Sequence, residues 1–284
     1  MQKKYSIKIS PAIIFSYIFL IVMAIMFVIP VLWAFLSTFK QNRDIINNGF
    51  TILPQSWTLQ NYIEVISNTT NAPIVRWFFN SLIISCSHTI LMLLITSMAA
   101  FGYQRMKFRF RDNLFIALML ISMIPGIVNI IPTYVIVDRF GWVDTPLACI
   151  VPGLSNVGNI FLIRQFLYGI PKEMDEAAIV DGATLWQIYS RIILPGLKPI
   201  LTVVGLFTFT GSWNDFLWPS IAMNDVSKMT ISAGLKLFQG MHDQNSAGTM
   251  LAGAVVAIIP TFIIYLFAQK HFVATMSFNA AVKG

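Results

Sequence analysis

The sequence predicts an all-α polytopic membrane protein: six transmembrane helices in a single domain over residues 1–284, with a helix–Gly–helix loop on the cytoplasmic side. Three observations predict it. Of 284 residues, 56% are hydrophobic and 11% charged, whereas a soluble domain carries about 25% charged residues. Six stretches reach the roughly 20 apolar residues that a spanning helix requires. Threaded through those six, the bases segregate to one side. This composition excludes a disordered tail, a nucleic-acid arm and nearly every soluble enzyme fold. With only two cysteines, Cys86 and Cys149, each inside an apolar run, it also excludes a disulfide scaffold.

The spans fall near 12–36, 77–104, 113–137, 145–163, 199–224 and 244–269, and only Asp215 interrupts one of them. A secretory signal has an apolar core of about 7–15 residues. Span 12–36 is longer, so a retained helix is expected there. A further charge-free stretch, 45–63, contains Asn47, Asn48, Gly49, Pro54 and Gln60 and reads as an irregular external loop. An even number of spans puts both termini on one side. Thirteen of the 19 bases fall there, from Lys3, Lys4 and Lys8 through Arg105–Arg111 and Arg164–Lys198 to Lys270 and Lys283. The positive-inside bias makes that side cytoplasmic. The net charge of +7 thus reflects topology and needs no nucleic-acid partner.

The loop Arg105-Met-Lys-Phe-Arg-Phe-Arg-Asp112 interleaves bases with Met and Phe. It reads as an interfacial segment meeting anionic lipid, with a partner-binding patch as the alternative. The loop 168–198 concentrates acids as well. Pro171 suits a helix start, and Glu173, Asp175 and Glu176 suit its first turns. Asp181-Gly182 is a stop signal. Thr184-Leu-Trp-Gln187 is a capping box that opens a second helix, which Pro195 is expected to end. On that helix Leu185, Ile188, Tyr189, Ile192 and Ile193 form an apolar stripe. The pattern fits either two interfacial helices lying on the membrane or a docking element for a cytoplasmic partner.

Within the membrane, Asp215 is the ionisable side chain set deep in a span, next to Trp213, Asn214 and Trp218. Such residues usually face a bundle interior or an aqueous cavity, and rings with amides and a carboxylate suit sugars. The alternative is an interfacial aromatic belt. Asn129, between Pro125 and Pro132, and Asn156 and Asn159 in the Gly- and Asn-rich fourth span are further pathway candidates, although asparagine also serves as interhelical glue. The external loop 221–250, with Gly234, Phe238, Gly240, His242 and Asn245, is either a partner contact or a passive connector. His88, His242 and His271 are scattered without spaced partners, so no metal site is expected. The cysteines read as packed small hydrophobes.

Glu176-Ala177-Ala178-Ile-Val-Asp181-Gly182, then nine residues, then Ile192-Ile-Leu194-Pro195 resembles the EAA loop of permease subunits in bacterial ABC importers. Leu59-Gln-Asn61-Tyr62, Phe79-Asn80-Ser81-Leu82 and Gly211-Ser-Trp213-Asn214-Asp215-Phe-Leu-Trp-Pro219 look like the carbohydrate-uptake branch, similar to its maltose-system G-type subunits. The Val282-Lys283-Gly284 ending is also similar, with Ala280-Ala281 in place of the usual Gly-Gly.

The resemblance implies one permease of an importer that moves a sugar, an oligosaccharide in the first instance, inward across the plasma membrane. A glycerol phosphate or another small solute, or secondary transport, is the alternative. The chain has no Gly-x-x-x-x-Gly-Lys-Ser/Thr phosphate loop, so it is not expected to be an enzyme or to bind a cofactor. ATP and Mg would sit in two partner ATPase subunits docked on Glu176, Ala177, Ala178, Asp181, Gly182, Ile192, Leu194 and Pro195. A second permease and an external solute-binding protein complete the implied assembly. A rocking loop is expected to drag spans 4 and 5.

Overall fold

The computed structural model describes residues 11–47, 51–68, 72–241 and 247–281. Lys3, Lys4, Lys8, His242, Asn245 and the Val282–Gly284 ending lie outside them, as do the side chains of Phe238, Lys270 and His271. The described residues are helical, and contacts divide the chain into two units, residues 1–67 with 241–256 and residues 68–240 with 257–284.

In the first unit, α1 (Pro11–Ser37) is apolar on all sides and exposed along nearly its whole length, as a helix is when lipid or another membrane protein covers it. Two short helices follow, α2 (Asn42–Asn47) and α3 (Gln60–Ser67). The stretch read as irregular is therefore helical at both ends. Asn61 organises it: its buried amide donates to the Thr38 and Lys40 carbonyls at 2.7 and 2.8 Å. The Lys40 ammonium is buried, bonds the Thr51 carbonyl and lies 5.5 Å from the Trp33 ring centre. The start of α15 (Ala247–Ala281) packs on this platform. Gly248 donates to Asn42 Oδ1 at 2.7 Å, and a Cβ there would sit 2.5 Å from Asn61 Oδ1.

The second unit is built on α4 (Ile74–Arg105). After it come α5 (Arg111–Ser122), a 3-10 turn (Gly126–Asn129) and α6 (Ile130–Arg139). Then come α7 (Pro146–Ile150) and α8 (Val157–Tyr168). The loop region holds α9 (Glu173–Val180), α10 (Leu185–Gln187), a π-helical turn (Ile188–Ile193) and α11 (Leu194–Gly196). It is followed by α12 (Lys198–Asn214), α13 (Leu217–Ala222), a 3-10 turn (Val226–Lys228) and α14 (Ile231–Met241). Helix α4 packs between α8 and α12. Phe101, Phe115, Ile163, Leu167, Ile188, Tyr189, Ile193 and Leu197 form the main apolar core. Trp77 is wholly buried, donates to the Val226 carbonyl and lies against Gly234 of α14, where a Cβ would sit 2.4 Å from the ring. The segment 221–250, expected to be an external loop, is thus partly a packed helix.

Three predicted spans are not continuous helices. Pro11–Ser37, Ile74–Arg105 and Ala247–Phe267 are long and apolar enough to cross a membrane alone. The 113–137 span is bent by 87° between α5 and α6, where Pro125 interrupts the ladder. The 145–163 span is split into α7 and α8 around Pro152 and Gly153. The 199–224 span ends as a helix at Asn214 and resumes at Leu217, with Asp215 in extended backbone between. Pro195 does not end the second loop helix. The chain carries on through α11 and turns by 76° at Leu197 into α12.

Candidate functional site

Two sites stand out, both in the second unit. In the loop, α9 closes with paired backbone bonds: Ala183 donates to the Ala178 carbonyl at 2.9 Å and Gly182 to the Ile179 carbonyl at 3.0 Å. This Schellman closure needs a left-handed residue, and Gly182 supplies it at φ +81°. The capping box forms at once afterwards. Thr184 N–H donates to Gln187 Oε1 at 2.8 Å, and Gln187 N–H donates to Thr184 Oγ1 at 3.3 Å. The two helices are therefore set at a fixed angle by backbone geometry.

One face of this unit is buried and the other exposed. Ile188, Tyr189 and Ile193 join the core and Ile192 is half-buried, but Leu185, placed on the same stripe by the spacing, is exposed. Leu185 opens α10, ahead of the π turn, and stays outside the core that begins at Ile188. Glu176, Ala177, Asp181, Gly182 and Pro195 are exposed, and Ala178 and Leu194 half-buried. Alongside lie Met174, Ile179, Val180 and Trp186, which the sequence reading did not single out. Val180 is 88% exposed and Trp186 62%. Clustered exposed apolar side chains on a polar-rimmed surface mark an interaction site.

The sequence reading took Asp175 as a first-turn acid and did not foresee its pairing with Arg105. Its carboxylate is buried, with Oδ2 2.8 Å from Arg105 Nε, and Arg105 Nη2 donates to the Ile170 carbonyl at 2.8 Å. Burial pushes the Asp175 carboxyl above the usual carboxylate range, against the opposing pull of the Arg105 guanidinium.

The second site is a cavity of about 660 Å³. Five of the six pathway candidates line it: Asn129, Asn156, Asn159, Asn214 and Asp215. Trp213 does not. Its ring is buried against Phe209 and Phe78, and its Nε1 donates to the Ala257 carbonyl at 2.9 Å, so it packs the core. Some of the polar lining is committed to structure. Asn156 Oδ1 caps α8 by accepting from Asn159 N–H, and Asn159 Nδ2 donates to Thr208 Oγ1 at 3.3 Å. Asp215 Oδ1 accepts from Leu217 and Trp218 N–H groups at the start of α13. Among the described residues, the Asn129 and Asn214 amides have no hydrogen-bond partner and face the cavity unengaged. His88, Thr133, Cys149, Thr208 and Ser212 complete the polar wall. His88 Nδ1 lies 2.7 Å from the Ile150 carbonyl, freed where α7 ends, and Gly153 packs on its ring. These groups carry no motif, so spacing alone could not find them.

Each break described above contributes to this wall: Gly126 and Asn129, Pro152 and Gly153, Asn214 and Asp215. Irregular backbone at membrane depth is tolerated where it lines a cavity or is buried in protein.

Comparison with known proteins agrees with this architecture. Residues 92–277 match the family described as binding-protein-dependent transport system inner membrane component, and the chain belongs to that family. It is thus a multi-pass inner-membrane permease component and not a catalytic subunit. The chain is 32% identical to the arabinooligosaccharides transport system permease protein AraQ of Halalkalibacterium halodurans, over 90% of this chain and 91% of that protein. It is 29% identical to the maltodextrin transport system permease protein MdxG of Bacillus subtilis, covering 92% and 93%. A crystal structure of a bacterial ABC transporter involved in the import of the acidic polysaccharide alginate shares the fold, with a TM-score of 0.82 at 21% identity, covering 95% of this chain and all of that one.

Proposed function

We propose that this chain is one of two permeases in an ATP-driven importer of a neutral oligosaccharide, with both termini in the cytoplasm. The observation that carries the reading is the exposed EAA face, held in shape by Gly182 and the capping box and bearing Glu176, Val180 and Trp186 outward. A membrane subunit with no phosphate loop needs such a surface to meet an ATPase. Glu176 and Asp181 would pair with partner cations, while Ala177 and Ala178 let the partner approach closely. Two ATPase subunits would hold the ATP and Mg. An external solute-binding protein would deliver the sugar.

The cavity supports the cargo class. It offers the free amides of Asn129 and Asn214 together with hydroxyls, and among the described residues no lysine or arginine lines it. Amides and hydroxyls suit sugar hydroxyls, whereas an anion in this wall would meet Asp215. The names of relatives such as AraQ and MdxG point the same way.

The test is co-expression with a second permease, the ATPase subunits and a solute-binding protein, and reconstitution into vesicles. Uptake of a neutral oligosaccharide should require ATP and the binding protein and ignore ion gradients. Glu176→Lys should abolish ATPase binding while the chain still inserts. Gradient-driven uptake without ATP would refute the reading.

A further inference from the structure

Arg105, Asp175 and Tyr189 lie outside the motif that names the loop, yet they make its polar attachments to α4. Resting on the function proposed above, we propose that α4 is the arm that carries the loop's movement to the cavity, and that Arg105, Asp175 and Tyr189 are its positioning residues.

The first attachment closes the end of α4. The Arg105 guanidinium is 6% exposed and grips two points of the loop, the Asp175 carboxylate of α9 and the Ile170 carbonyl before it. The second lies eight residues earlier. Ser97 Oγ and Tyr189 Oη are 2.8 Å apart in the core, and the Tyr189 ring packs on Phe101 at 5.5 Å between centres. Eight residues of helix rise about 12 Å. One attachment would let the loop swivel about it, whereas two spaced along one helix make loop and helix turn together. Higher on α4, Met92 and His88 line the cavity, and His88 holds the Ile150 carbonyl at the break between α7 and α8. A rotation imposed at the loop therefore reaches the cavity wall through one continuous helix.

An ion pair is a poor choice if stability alone is wanted. Well-packed apolar side chains hold a buried site as firmly, while a buried pair enforces one geometry. Asp175 Oδ1 has no hydrogen-bond partner among the described residues, so the site is not tuned for maximal stability. Asp175 is also distinct from the docking surface: it points inward while its neighbour Glu176 is exposed.

The experiment uses the whole complex in vesicles and reads sugar transported per ATP hydrolysed. Arg105→Met with Asp175→Met keeps bulk and removes both charges. ATPase binding and hydrolysis should persist while transport per ATP falls by about tenfold, within the usual range of coupling between sites. Tyr189→Phe, which keeps the ring and removes the hydroxyl, should lower the same ratio by a smaller factor. An unchanged ratio in both variants overturns the proposal. If the double variant does not assemble, Arg105→Lys and Tyr189→Phe decide by the same ratio. A failure of the functional reading looks different: the native complex shows no ATP-dependent uptake, or Glu176→Lys leaves ATPase binding intact.

Discussion

Gly182 gives the sharpest handle on the loop between α8 and α12 because its cost can be separated from packing. A Cβ built there meets nothing within 4 Å, so no neighbour opposes a side chain. Only the backbone does, since φ is +81°. A Cβ in the left-handed region costs roughly 1–2 kcal/mol, and asparagine tolerates it better. Gly182→Ala should therefore weaken the α9 closure by about 5–30-fold in its opening equilibrium, and Gly182→Asn by less. Gly182→Val should cost more than Ala, because a β-branched side chain is a worse fit to positive φ. Gly182→Pro cannot reach this φ and also removes the N–H that donates to Ile179, at about 3 kcal/mol or more.

The assay is amide exchange at Ala183, whose N–H makes the outer bond of the closure to Ala178. Local opening sets the exchange rate, so protection should fall in the order Gly, Asn, Ala, Val, Pro. Transport should fall in the same order while the protein still inserts. Equal protection in Gly, Ala and Pro forms would refute the assigned backbone role. Asn as damaging as Val would show that space, rather than φ, is limiting.

Four further outcomes are expected. Gly153→Ala places a Cβ 2.7 Å from His88 Cε1; overpacking of this kind costs about 1–3 kcal/mol and should lower the melting temperature, by less in a His88→Ala background. Gly234→Ala, 2.4 Å from the buried Trp77 ring, should destabilise by a similar amount and be partly relieved by Trp77→Phe in the same thermal assay. Asn129→Leu and Asn214→Leu should each lower uptake by about fivefold, the effect of one hydrogen bond near 1 kcal/mol, with ATPase binding unaltered; unchanged uptake in both would remove the cavity from the pathway. Asp175 has a folded carboxyl raised above its ordinary value, so the native state binds more protons than the unfolded state between the two. Native stability relative to Asp175→Asn should therefore rise as pH falls from 7 toward 4, and thermal melts in which the gap moves the other way contradict the burial argument.

Much of the fold and of the loop was legible because it follows from local rules. Span position follows from uninterrupted apolar length, and α1 and α4 match prediction within a few residues. The stop at Gly182 and the capping box at Thr184 depend on backbone chemistry within four residues and appear as read. The pathway asparagines are brought together because Asn129, Asn156 and Asn214 each lie within four residues of a Pro, Gly or Asp at a helix break, and Asn159 follows in the first turn of α8. What was not legible depends on partners far along the chain. Trp213 looks like a binding ring beside Asn214, but its face is decided by Phe78, from α4. Leu185 fits the apolar stripe by spacing, yet it opens α10 outside the core that begins at Ile188. Asp175 reads as one more acid at a helix start, because its partner lies seventy residues earlier.

The breaks themselves carry the last step. A continuous helix satisfies its own backbone and presents only side chains, so six unbroken spans could offer a sugar nothing but what protrudes. Interrupting α5–α6, α7–α8 and α12–α13 frees backbone groups at the cavity, at a cost that the lining then offsets. His88 takes the Ile150 carbonyl, Asn156 caps α8, and Asp215 caps α13. These caps explain part of the polar wall: His88, Asn156 and Asp215 each answer a broken helix. Asn129 and Asn214 differ, sitting at breaks with amides that cap nothing. If the wall were only the repair of its own breaks, those two would be replaceable by apolar residues without loss. Their loss of uptake on substitution by leucine separates a pathway from a scaffold.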